Sequence, residues 1–121
     1  MRLLVCGGRG FSDRRFLYAK LDELGKARVV DVLIHGACHL GGADALAHDW
    51  AMKHGVWVVA FPVMHHLDGP WPGAGPCRNE RMLRDGRPNV VMGFKGGRGT
   101  ADMMRQARAW GIEVIDYTIG G

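Results

Sequence analysis

The sequence predicts an α/β fold: a five-stranded parallel sheet in the order 3-2-1-4-5, set between two layers of helices as a three-layer α/β/α sandwich. Three observations predict it. Short apolar, β-branched runs alternate with stretches whose apolar residues recur at helical spacing. Most of these runs stop at glycine or proline, and the 19 glycines are clustered rather than scattered. Strand and helix alternate throughout, which calls for right-handed crossovers and a sheet covered on both faces.

Each element has its own signal. Arg2–Cys6 is a short apolar run ending in glycines, a buried strand. Ser12 and Asp13 are suited to cap a helix in which Leu17, Leu21 and Leu24 share a face. Residues 29–34 make a second strand, followed by Gly36 and the pair Gly41-Gly42. Ala43, Leu46, Ala47, Trp50 and Ala51 then repeat at helical spacing up to Gly55. Residues 56–61 are the third strand, stopped by Pro62. Residues 62–77 interleave four prolines with three glycines and read as a long irregular loop, which a domain of this size keeps when it serves a site. Residues 78–84 form a short helix and residues 89–94 the fourth strand. Residues 100–110 form a helix with Met103, Met104 and Ala107 inward, and residues 112–115 the last strand.

The length, 121 residues, suits one domain spanning the chain. Three widely spaced cysteines without a CxxC pair argue against a disulfide framework. The first apolar run is too short for a signal-peptide core, and no stretch is long enough to span a membrane. A cytoplasmic protein is expected. Net charge is +4, with twelve arginines against four lysines. Arginine suits two-pronged grips on phosphate, but base composition of the coding sequence accounts for the bias equally well. No recognised zinc spacing links His35, Cys38 and His39, or His65, His66 and Cys77, so no metal and no cofactor is expected. The methionines at 52, 64, 82, 92, 103 and 104 read as core filler.

The chemistry points to the glycine turns. Gly7-Gly8-Arg9-Gly10 and Gly96-Gly97-Arg98-Gly99 share the pattern G-G-R-G-x-x-D, completed by Asp13 and Asp102. Each copy sits between a strand and a helix, where outward N–H groups and the helix dipole hold an anion. Strands 1 and 4 are neighbours at the switch point of the predicted order, so the two turns are expected on opposite lips of one crevice. Arg9 and Arg98 either add charge to that crevice or sit solvated on its loops. His35 ends a strand at the sheet's carboxyl edge and so falls near the ligand. Arg81, Arg84 and Arg87 follow Arg78 at three-residue steps and are expected to share a face, for phosphate contact or simply for solvation.

These motifs resemble the SLOG superfamily, which includes the Lonely Guy phosphoribohydrolases and the DNA-processing protein DprA. The similarity is greatest to its YspA, cpYpsA-related branch. It rests on Cys6-Gly7-Gly8-Arg9 with Phe11 and Asp13, and on Ile34-His35-Gly36 leading to Gly41-Gly42-Ala43-Asp44 with Ala47 and Trp50-Ala51. It continues through Gly73–Pro76 with Arg78-Asn79, and Phe94 with Gly96–Asp102, including Thr100. The resemblance implies a Rossmann-like fold and a nucleotide-derived ligand, such as a nucleoside monophosphate or an ADP-ribose derivative. It implies ligand contacts at Gly7, Gly8, Arg9, His35, Gly36, Gly42, Asp44, Arg78, Asn79, Gly96, Gly97, Arg98, Gly99 and Thr100. For Asp44 the choice between holding a ribose hydroxyl and capping the second helix stays open.

The hydrolases of that superfamily look like P-G-G-x-G-T-x-x-E, with the Glu and an upstream Arg acting at the ribose. Here Arg78 matches the arginine, Lys95 replaces the proline and Met103 stands in place of the Glu. Asp102 is one residue early, a rotation of roughly 100° on a helix. It is better suited to complement the helix N-terminus. The expectation is therefore a binding protein, with nucleoside 5′-monophosphate phosphoribohydrolase as the alternative and Arg78 as its catalytic candidate. Single-stranded nucleic-acid binding ranks last, because aromatics barely interleave with the arginines. The resemblance also allows a homodimer, with Trp50, Trp57, Trp71 and Trp110 either as candidate interface residues or simply as core.

Overall fold

A computed structural model describes residues 1–37 and 41–119. Five strands, β1 (Arg2–Cys6), β2 (Val32–His35), β3 (Trp57–Ala60), β4 (Val90–Phe94) and β5 (Glu113–Tyr117), form a parallel sheet in the order β3-β2-β1-β4-β5. The helices are α1 (Arg14–Ala27), α2 (Ala43–Lys53), α3 (His65–Asp68), α4 (Ala74–Gly86) and α5 (Arg98–Ala109). The Rossmann-like α/β architecture and the strand order are those the sequence predicts.

Strand alternation sorts the core into two halves. Leu3 and Val5 point one way, with Leu33 and Met92, into a cluster filled by Leu17 and Leu21 of α1 and Trp50 and Ala51 of α2. Leu4 points the other way, with Ile34 and Val91, against Met82 and Leu83 of α4 and Met103, Met104 and Ala107 of α5. Asp13 caps α1 by accepting the Phe16 N–H at 3.0 Å. The Trp50 indole N–H donates to Asp22 at 2.9 Å and ties α2 to α1.

Several expectations need correction. The second strand starts three residues later than its apolar run, because Val29 lies in the connection and is 73% exposed. β5 runs on to Tyr117, past the last aliphatic residue of its run. The sheet is not fully covered: Trp57 and Val59, on one face of edge strand β3, are exposed. Met52 and Met64 are exposed as well, so only Met82, Met92, Met103 and Met104 of the six fill the core. Of the four tryptophans Trp50 alone is buried.

The 62–77 segment is not one irregular loop. It holds the single turn α3, and α4 begins at Ala74, before Arg78. Pro76 is the third residue of α4, in the first turn, where a proline's missing N–H leaves no partner unsatisfied. The three-residue arginine spacing does not keep one face. Each step falls about 60° short of a full turn, so Arg78 borders a cleft, Arg81 is buried and Arg84 is exposed. Arg87 has left the helix as its left-handed C-cap, at φ 51°.

Candidate ligand-binding site

The loops that follow β1, β2, β3 and β4 meet at the carboxyl edge of the sheet around an open cleft of about 1070 Å³. The two glycine turns do not face each other across it. They touch side by side, with the Gly8 N–H donating to the Lys95 carbonyl at 2.9 Å. A Cβ on Gly8 would stand 2.9 Å from the Gly96 Cα. The Gly8 carbonyl in turn accepts the N–H groups of Phe11 at 3.1 Å and Ala43 at 3.3 Å. Gly42, at φ 82°, brings the start of α2 so close that a Cβ there would overlap the Gly8 carbonyl. One residue thus joins three loops.

The turns also differ in how they lead into their helices. After Gly7–Gly10 the chain runs on to Arg14 before α1 starts, and Asp13 caps that helix itself. After Gly96 the helix starts at once: Gly97 is the N-cap of α5, and Arg98, Gly99 and Thr100 form its first turn. The first helical bond runs from the Ala101 N–H to the Gly97 carbonyl, so the four N–H groups before it have no helical acceptor. Gly97, Arg98, Gly99 and Thr100 all line the cleft. At α2 the Ala43 N–H already has its acceptor in Gly8, leaving α5 as the helix end most open to the cleft.

The remaining site candidates fall into two groups. Gly7, Gly8, Arg9, Gly36, Asp44, Arg78, Asn79 and Gly96 line the cleft. His35 and Gly42 do not; they support it from behind. The His35 Nδ1 accepts the Ala37 N–H at 2.9 Å, so its proton sits on Nε2, which donates to the His48 Nδ1 at 3.0 Å. Burial, with the nearby His48 and Arg78, pushes the His35 pKa down to about 4. Of the metal-spacing groups, Cys38 and His39 lie outside the described residues.

Arg78 is a brace as much as a wall. Its Nη1 donates to the Gly36 carbonyl at 2.7 Å and the Phe61 carbonyl at 3.1 Å, tying the chain after β2 and β3 to α4. Its Nε donates to the Asn79 Oδ1 at 3.2 Å. Gly36 is bare because a Cβ would stand 2.9 Å from that guanidinium. Asp102 is not at the N-terminus of α5 but in its second turn. It is buried, accepting from Asn79 at 3.0 Å, Gln106 at 2.8 Å and Arg105. Met103 lines the cleft and is buried against the α4–α5 core.

Among the described residues, four cations, Arg9, Arg78, Lys95 and Arg98, line the cleft with one carboxylate, Asp44. Sequence reasoning placed Cys6 and Phe11 in a motif without naming them as site residues, singled out neither His65 nor Trp71 within the 62–77 segment as a wall residue, and missed Met82, all of which line the cleft. Burial first, then Asp44 and Asp116, raises the Cys6 pKa well above its ordinary value, which keeps the thiol protonated.

A family model, that of the YspA, cpYpsA-related SLOG family, matches residues 1–65. The chain belongs to that SLOG family. No curated protein matches it. The match takes in the first glycine turn, Gly36, Gly42 and Asp44, while Arg78, Asn79 and the 96–100 turn lie beyond it. Membership in the SLOG family suggests a small-molecule, nucleotide-related ligand. Among the described residues of this SLOG chain, no helix is long and apolar enough to cross a membrane.

Proposed function

We propose that the chain binds a nucleotide-derived ligand, a nucleoside monophosphate or an ADP-ribose derivative, with its phosphate on the N-terminus of α5 and without appreciable turnover. The open first turn of α5 carries this reading. Aligned N–H groups and the positive end of the helix dipole favour an anion there. Arg9, Lys95 and Arg98 are exposed beside it and add charge. Asp44, near the start of α2, is suited to accept from ribose hydroxyls.

The chemistry of the wall supports binding over hydrolysis. Breaking an N-glycosidic bond develops positive charge on the sugar, which a fixed carboxylate stabilises. Met103 offers none, and Asp102 is committed to Asn79, Gln106 and Arg105. The test is calorimetric titration with AMP and ADP-ribose, together with chromatography for free adenine. Saturable binding that weakens with salt, in Arg98→Ala and in Lys95→Ala, with no adenine released, is expected. A cleft still empty at millimolar ligand overturns the proposal, and steady adenine release favours the phosphoribohydrolase alternative.

A further inference from the structure

The segment between β3 and α4 presents one large aromatic face to the cleft. Trp71 lines the cleft and is 63% exposed. Trp57 and Trp110 are exposed elsewhere, and Trp50 is in the core. Phe11 also borders the cleft, but its ring packs on Phe94 at 5.3 Å between centroids. Among the described residues, Trp71 is the lining aromatic with most of its surface open.

The indole is also backed. The His65 ring meets it edge-on, 5.5 Å between centroids at 77°. His65 is itself oriented, its Nδ1 lying 2.7 Å from the Gly69 carbonyl. A Cβ at Gly75 would stand 3.8 Å from the Trp71 ring, so the start of α4 lies beside it without a side chain.

The segment is anchored from inside. Asp68 accepts the Met64 N–H at 2.8 Å and two bonds from Arg81, each 2.9 Å. Arg81 also donates to the Pro62 carbonyl at 2.8 Å, and the Ala74 N–H to the Pro70 carbonyl at 3.1 Å. A platform held in this way loses little freedom when a flat ring settles on it.

The placement completes a division of labour. β3, which leads into the Trp71 segment, and β4, which leads into the open end of α5, lie three strand spacings apart in the sheet order, about 14 Å, and both segments line the one cleft. Asp44 and Arg78 lie on the wall of the same cleft. An anion at one end, hydrogen-bonding groups and an aromatic face at the other match a phosphate, a sugar and a base.

We propose that Trp71 is the stacking platform for the base of the ligand, and so the residue by which the cleft prefers a nucleotide over a bare sugar phosphate. The assignment rests on the nucleotide-binding reading above. Every base has a π-face, so the platform favours a base without selecting among bases by hydrogen bonds.

The test is equilibrium binding of AMP and of ribose 5-phosphate to the wild-type chain, Trp71→Ala and Trp71→Phe. Tenfold or greater loss of AMP affinity in Trp71→Ala is expected, with ribose 5-phosphate affinity within twofold and AMP binding largely restored in Trp71→Phe. The indole is solvent-exposed, and a thermal melt confirms the fold of each variant. AMP affinity unchanged in Trp71→Ala, or both ligands weakened equally, overturns the platform while leaving nucleotide binding in place. A wild-type chain that binds neither ligand overturns both.

Discussion

At the scale of single residues the cleft depends on what is left out. Gly42 is the tightest case, combining φ 82° with a start of α2 pressed onto Gly8. Gly42→Ala is expected to cost at least ~2 kcal/mol, from the left-handed backbone and the overlap together, measured by urea unfolding. His35 carries a pH dependence of opposite origin. Its folded pKa of about 4 lies below the unfolded value near 6.5, so the unfolded chain binds the extra proton first. Stability is therefore full above pH 6.5 and falls as pH drops towards 4, by up to ~3 kcal/mol, in the absence of other titrations. His35→Asn, whose Oδ1 is placed to take the Ala37 N–H, is expected to flatten that part of the profile of melting temperature against pH. Arg78→Ala is a poor probe of catalysis, because it also removes two bonds that hold the Gly36 and Phe61 carbonyls.

At the scale of elements, α4 with the turn before it shows where sequence reasoning stopped. Glycines and prolines at 69–76 carry loop composition, yet Gly75 and Pro76 lie in the first turn of a helix. The Asp68–Arg81 pair spans 13 residues and exists only after the chain has turned back, so no local pattern announces it. Arg81 holds the Asp68 carboxyl down near pKa 2, against the cost of burying it. Asp68→Ala leaves that guanidinium buried without its carboxylate. A loss of about 3–5 kcal/mol in chemical unfolding is expected. α1 has slack of the opposite kind. Gly25 lies inside this helix, and the nearest atom to an added Cβ is 4.0 Å away, on Trp50. Gly25→Ala is expected to stabilise the fold by about 0.5–1 kcal/mol, read from the shift of the urea midpoint.

At the scale of the whole molecule, strand order and the three-layer arrangement were legible because the buried strands are short apolar runs, each with a glycine within two residues of its end, alternating with helical patterns. That the glycine turns line one cleft was legible, but not that they touch. The repeat G-G-R-G-x-x-D promised equivalence, and only the second copy continues directly into its helix. The interlock itself is cooperative. Gly8 has backbone bonds with Phe11, Ala43 and Lys95, so the floor of the cleft forms only when the chain after β1, β2 and β4 has come together. The wall from 62 to 73 is fastened separately, through Arg81 and α4. That separation makes the cleft modular. If the proposed ligand reading holds, a different segment grafted between β3 and α4, with Asp68 and its bond to Arg81 kept, is expected to change what the cleft recognises while the proposed anion site beneath it stays as built.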